Sequence, residues 1–238
     1  MRKEFVLAFI GFLTCAASLR GQDEITGYEV GPYVAWQDWK AKTFEIGTPQ
    51  FARRVNADFR YRDHVAYGIR ANFLSRGHNG GELSYTYQQN TATITVPSLA
   101  PLALKGNVQQ VFYNQIFYPV RYGRAILPFF TGGLGIAFYQ INDEARLRAA
   151  DPTVNGISNL RSTVREFVFN YGAGVKANIV EHFGIRADFR HIISAMPNYG
   201  LRQTSSNPAE FVFPVGGKLQ NYEYSFGVYF RAVSTGFK

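Results

Sequence analysis

The chain has 238 residues, of which 46% are hydrophobic and 16% aromatic, with 23 glycines, one cysteine and a formal net charge of +8. That length suits one domain with a full core, while a mean hydropathy of -0.14 and the absence of any long internal apolar run exclude a bundle of spanning helices. The basic residues are scattered rather than blocked, which excludes a nucleic-acid footprint.

At the N-terminus, Arg2 and Lys3 precede an apolar run from Phe5 to Leu13 and then the small residues Ala16, Ala17 and Ser18. This is the layout of a secretory signal peptide. The run is far short of the roughly 20 residues of a spanning helix, so 1–21 is expected to be cleaved between Ala17 and Gly21, leaving 22–238 as one domain. A lipoprotein signal is discounted, because Phe12, Leu13 and Thr14 put no small residue just ahead of Cys15. As Cys15 is the only cysteine, the mature chain has no disulfide, cysteine metal site or cysteine nucleophile.

Eight segments then alternate with a period of two: about 27–36, 65–75, 80–90, 107–120, 127–140, 165–179, 182–194 and 220–232. The fourth alternates most weakly, with Asn114 on the face of Phe112 and Ile116. In the fifth, Phe130, Leu134, Ile136 and Phe138 oppose Thr131, Gly133, Gly135 and Ala137, the glycines fitting a crowded small barrel. The sixth sets Phe167, Phe169, Tyr171, Ala173, Val175 and Ile179 against Glu166, Asn170, Gly172, Gly174, Lys176 and Asn178. The seventh sets Phe183, Ile185, Ala187, Phe189 and Ile193 against Gly184, Arg186, Asp188, Arg190 and Ile192. In the last, Tyr222, Tyr224, Phe226, Val228, Phe230 and Ala232 oppose Glu223, Ser225, Gly227, Tyr229 and Arg231.

Alternation leaves open whether the greasy face points into a soluble core or out into lipid, and the links decide. Those after the second, fourth and sixth segments are short (76–79, 121–126, 180–181), while the others are long (37–64, 91–106, 141–164, 195–219). Strict alternation of this kind belongs to a membrane barrel with periplasmic turns and extracellular loops. The fold class is therefore all-β: an eight-stranded antiparallel up-and-down transmembrane β-barrel with short periplasmic turns and four long extracellular loops. The stretch 51–62 also alternates; it either extends the first hairpin above the membrane or is itself the second strand.

On the faces turned from lipid lie five acids (Glu29, Glu82, Glu166, Asp188, Glu223) and five bases (Arg70, Lys176, Arg186, Arg190, Arg231). Buried charges persist only when paired or hydrated, and a narrow barrel fills its lumen with side chains. A balanced lumen charge network meets both demands.

The runs Pro128 to Tyr139, Tyr171 to Lys176, Gly184 to Arg190 and Ser225 to Phe230 resemble the small eight-stranded outer-membrane barrels of the OmpA/OmpX kind. The resemblance covers residue 27 onward, loops apart. It implies a bacterium with two membranes, insertion by the outer-membrane assembly machinery and no wide channel. Ser225, Gly227 and Phe230 are similar to the family's assembly signal, although the chain continues past Ala232 to Phe237 and Lys238.

No Gly-rich phosphate loop or metal-ligand spacing occurs, so no cofactor, metal or catalytic residue is expected. His64, His78 and His182 read as solvated turn residues. His191 and Ser194 are faintly similar to the histidine and serine of outer-membrane lipid A deacylases, but three residues apart on a strand they face opposite sides. The expected role is structural or surface-interacting, through the loops, for a monomer that is not an enzyme. The alternatives are a narrow pore for small solutes and a lipid A-modifying hydrolase. Expected partners are outer-membrane lipids including lipopolysaccharide, the assembly machinery and an extracellular ligand, with no nucleic acid. The first link is the favoured contact: Trp36 and Trp39 mark an interface, and Lys40, Lys42, Arg53, Arg54, Arg60 and Arg62 outnumber Asp38, Glu45, Asp58 and Asp63.

Overall fold

The computed structural model describes residues 25–46, 55–75, 77–95, 101–120, 125–151, 160–201 and 216–233. The signal peptide expected over 1–21, Arg53, Arg54, and the continuation to Phe237 and Lys238 lie outside these residues. Ten strands form: β1 (Ile25–Trp39), β2 (Lys42–Ile46), β3 (Val55–Tyr61), β4 (His64–Ser75), β5 (Asn79–Thr95), β6 (Leu102–Phe117), β7 (Ile126–Ile141), β8 (Thr163–Val180), β9 (Phe183–Ala195) and β10 (Lys218–Val233), with one helix, α1 (Asp143–Ala150).

Strands β4 to β10 pair with their neighbours in chain order, and β1 lies between β4 and β10, so eight strands close on themselves. The seam runs antiparallel from Gly27↔Val233 to Trp39↔Asn221. Closure is what lipid demands, since an open edge would leave backbone groups with no partner in hydrocarbon. The stretch that could have been a second wall strand is β3. It pairs with β5 only from Asp58↔Thr95 to Tyr61↔Ala92, beyond the level where β4 pairs with β5. With β2 it makes a hairpin that extends the barrel wall outward.

The second long link shrinks in the structure. β5 and β6 stay paired up to Ile94↔Leu102, so most of the expected loop 91–106 is a strand ribbon projecting past the membrane. The third link carries α1, whose acidic Asp143 and Glu144 sit at the positive end of the helix dipole and whose Ala145 and Ala149, one turn apart, are buried.

The polarity of the faces reverses along β5 and β6. Toward the periplasm β5 shows Leu83 and Tyr85 outward and hides Glu82, Ser84 and Thr86; at its far end it hides Ala92 and Ile94 and turns Thr91, Thr93 and Thr95 outward. β6 does the same, with Val111 and Phe117 outward near the turn, and Leu102, Leu104 and Val108 inward above. The switch marks where lipid gives way to water. Below the switch, Phe112, Asn114 and Ile116 share the inward face of β6 beside Ser84, Glu82 and Gly80, and this mixed inward face is why that segment alternated poorly. The outward apolar run is uneven around the wall: it extends from Phe167 to Ile179 on β8 but only from Val111 to Phe117 on β6.

Candidate functional site

The periplasmic half of the lumen is an ionic belt in two levels. In the lower one, Lys176 Nζ lies 2.6 Å from Glu29 Oε2 and Arg231 Nη2 lies 3.0 Å from Glu29 Oε1. Lys176 also donates to the Tyr118 hydroxyl at 2.8 Å, and Asn72 Nδ2 donates to Glu29 at 3.2 Å. In the upper level each arginine bridges two carboxylates. Arg70 reaches Asp188 at 2.8 Å and Glu223 at 3.4 Å; Arg186 reaches Glu82 at 2.6 Å and Asp188 at 2.8 Å; Arg190 reaches Glu82 at 2.7 Å and Asp188 at 3.0 Å. These groups alternate along β4, β5, β9 and β10 so that every one points inward. Neutral side chains complete the coordination: Asn114 Nδ2 donates to Glu82 at 2.8 Å, Gln37 Nε2 to Glu223 at 2.8 Å, and Ser225 Oγ to Asp188 at 3.0 Å. Tyr33 stacks its ring 3.6 Å from the Arg70 guanidinium. Lys176 and Glu82 are 0% exposed, a burial that only such mutual pairing makes tolerable.

Toward the outside the belt gives way to an apolar cap. Trp39, Tyr61 and Tyr139 meet ring to ring at 5.0 to 6.4 Å, surrounded by Phe59, Leu104, Val108, Met196 and the alanines of α1. Trp39 Nε1 donates to Gln88 Oε1 at 3.1 Å, and the Tyr61 and Tyr199 hydroxyls bond each other. Burial pushes both of these phenols above the ordinary tyrosine range, so they stay protonated and able to donate. At the seam between belt and cap, Gln37 Oε1, Gln110 Nε2 and both polar side-chain atoms of Asn221 have no partner among the described residues.

Of the residues singled out by sequence, Glu29, Arg70, Glu82, Lys176, Arg186, Asp188, Arg190, Glu223 and Arg231 meet in the belt. Glu166 stands apart: it is half-buried near the outer end of β8, with no ion pair among the described residues. Trp36 is 50% exposed on the outer wall, but Trp39 is 2% exposed inside the cap, since positions three apart on a strand face opposite ways; the pair does not mark one interface. Ser225 lies in the belt, Gly227 packs where a side chain would strike Pro32 and Tyr33, and Phe230 faces lipid edge-on to Phe183. Ser194 is inside, bonded to the Tyr139 hydroxyl at 2.8 Å, while His191 is outside against Tyr171 and Tyr222, so the two share no face. Sequence reading missed the neutral members Tyr33, Gln37, Asn72, Asn114 and Tyr118; inward parity beside a charged neighbour was the signal that could have found them. Among the described residues, no cluster of histidine, cysteine and carboxylate could hold a metal ion.

Among the described residues the extracellular rim mixes both signs. Around β1, β2 and β8 to β10, Lys40, Lys42, Arg161, Arg165 and Lys218 stand with Asp38, Glu45 and Glu166, and Lys40 is ion-paired to Asp38 at 2.9 Å. From β3 to α1, Arg60, Arg62, Lys105, Arg146 and Arg148 stand with Asp58, Asp63, Asp143, Glu144 and Asp151, and Asp63 accepts a hydrogen bond from the Trp39 backbone N–H of β1 at 2.8 Å.

A family profile described as the outer membrane protein beta-barrel domain matches residues 5–231. No curated protein matches the chain. Among solved structures, the outer membrane protein OprG of Pseudomonas aeruginosa superposes with a TM-score of 0.57 at 12% identity, covering 89% of this chain and 98% of that one. Neisserial surface protein A gives 0.48 at 10% identity over 85% and 96%. The N-terminal β-barrel domain of Pseudomonas aeruginosa OprF gives 0.44 at 14% identity over 86% and 97%. At these identities the likeness concerns the fold.

Proposed function

We propose, from the premise that this chain belongs to the outer membrane protein beta-barrel family, that it acts as a closed anchor in the bacterial outer membrane, holding a rigid extracellular platform for surface contacts. The observation that carries this reading is the double filling of the lumen. The ion pairs of the belt and the rings of the cap lie one above the other, and side chains at both levels are almost wholly buried. A solute would have to break both.

The platform is the β5–β6 ribbon, the β2–β3 hairpin and α1, all built on strands that continue the barrel wall. Recognition on such a surface starts from a preordered shape, which reduces the entropy lost on binding. In this reading an extracellular partner meets the ribbon and α1, whose Leu147 is 74% exposed. The assembly machinery meets β10 through Ser225, Gly227 and Phe230 before that strand closes on β1.

Planar-bilayer recordings of the full chain, paired with surface-binding assays on a variant lacking the ribbon tip, 96–101, test the reading. The expected result is no steady conductance from either protein and reduced surface binding by the variant. Steady passage of small ions through the intact protein, with binding unchanged by the deletion, would replace the anchor with a narrow pore.

A further inference from the structure

The closing seam between β1 and β10 has one break. Their register runs from Gly27↔Val233 to Val30↔Phe230 and resumes at Tyr33↔Gly227, so Gly31 and Pro32 are left out, although both pair with β4 on the other side. Continuing that register sets Pro32 opposite Val228, and the Pro32 carbonyl faces β10, its oxygen 2.6 Å from where a Gly227 Cβ would stand. The N–H and C=O of a paired antiparallel residue point the same way, so the donor that Val228 O would take from β1 is the N–H that proline lacks. In an open sheet such a proline sits on an edge, but a closed barrel has none. Pro32 stands in the outward row between Val30 and Val34, at the lipid-facing level of the wall.

Behind the break lies a space of about 10 Å³, lined by Gly31, Gly227, Val228, Asn72, Arg70 and Arg186 among others. Glycine at position 31 leaves the Val228 carbonyl uncovered on its inward side, where the oxygen is 1.9 Å from the place of a Cβ. Both arginines bring an unused donor. Arg70 commits Nη1 and Nη2 to Asp188, Glu223 and Ser225, and Arg186 commits Nε and Nη1 to Asp188 and Glu82. Arg70 Nε and Arg186 Nη2 are buried and have no partner among the described residues. Asn72 Oδ1, 3.5 Å from Arg186 Nη1, is held only by that long contact. We propose that one water molecule binds in this space and completes the seam, accepting from Arg70 Nε and Arg186 Nη2 and donating to Val228 O and Asn72 Oδ1. The volume is that of a single water, and two to four polar partners are what a buried water needs. A halide ion fits less well, because it cannot donate to the Val228 carbonyl. The ladder between the first and last strands thus passes through solvent at one rung. The site depends on the membrane placement and is independent of whether the lumen is closed.

Solution NMR of the full protein in phosphatidylcholine nanodiscs reads the site directly. A bound water gives a rotating-frame Overhauser peak between Arg70 Hε and the water signal, and that peak is expected. Pro32→Ala supplies the missing N–H and gives a second, independent readout. With water already satisfying Val228 O, the variant exchanges one hydrogen bond for another and loses only the stiffening that proline gives the unfolded chain. Its folding equilibrium constant in urea should therefore stay level or fall by no more than about fivefold. Were the carbonyl without any partner in hydrocarbon, the same repair would raise that constant about a hundredfold. The proposal is overturned by absence of the Overhauser peak, by a rise of about tenfold or more in Pro32→Ala, or by an Arg70 Hε resonance that moves when bromide replaces chloride, which would assign the space to an anion.

Discussion

On the periplasmic side of Gln88 the lumen holds the ion pairs, with Ile116, Tyr118, Leu127 and Phe129 packed beside them, and on the other side it is filled by aromatic and aliphatic side chains, although β5 and β9 each carry both kinds. The difference follows from what lies outside the wall. Where lipid surrounds the barrel the outward face must be apolar, so the polar residues of an alternating strand turn inward and have to satisfy one another. Where water surrounds it, Thr91, Thr93 and Thr95 take the outside and Ala92 and Ile94 pack within, as in any soluble sheet. The belt is specified by partners and directions, and the cap by volume. The two halves should therefore fail in different ways.

The largest effect is expected at Glu82. Glu82→Ala leaves Arg186 and Arg190 buried with half their carboxylate partners, and should destabilise by about 3 to 5 kcal/mol in urea unfolding from vesicles; a variant as stable as its parent would mean the belt is wet and behaves like a solvated surface. In the cap, Leu104→Ala should cost about 3 kcal/mol through the void it leaves. Because Leu104 lies beyond the lipid boundary, the loss should be the same in detergent micelles as in bilayers, and a strong dependence on lipid would place the cap inside the membrane. Phe169→Arg tests the wall between the two environments. An arginine that β9 carries easily inside at position 190 should cost about 2 to 4 kcal/mol on the lipid face if near the midplane, and the cost should disappear in a hydrophilic detergent. The smallest effect has the opposite sign. Asn221 sits at the seam, 1% exposed and with no side-chain partner among the described residues, so Asn221→Leu should stabilise by about 1 kcal/mol, measured as a raised urea midpoint; a loss would show that the seam holds its amides through ordered water.

The eight wall strands were legible in the sequence because a period of two survives in every one of them, and the link lengths told lipid from solvent. The belt was legible because a charged residue on an otherwise small or polar face has nowhere else to go. What escaped reading came from the reversal of faces. On β5 an apolar residue points outward at Leu83 below the switch and inward at Ile94 above it. Trp39 escaped for the same reason: tryptophan at a strand end reads as a membrane anchor, and only parity relative to Trp36 shows that it points in. Glu166 illustrates the converse error, since an inward carboxylate need not reach the belt when its level on the strand lies too near the outer end. α1 was hidden in a long link, where eight residues with two buried alanines offer little amphipathic signal.

The uneven outward apolar run has a mechanical consequence. A bilayer meeting the stretch Phe167 to Ile179 on β8 and the shorter Val111 to Phe117 on β6 cannot match both at one thickness with the barrel upright. Mismatch costs fractions of a kcal/mol per ångström and is relieved by tilting or by local thinning of the lipid. The barrel should therefore lean, with its taller side along β8 and the bilayer drawn thin along β6. Orientation then becomes a property of the host membrane: in thicker lipid the lean diminishes and the short side is strained, whereas a thin outer membrane suits the molecule as built.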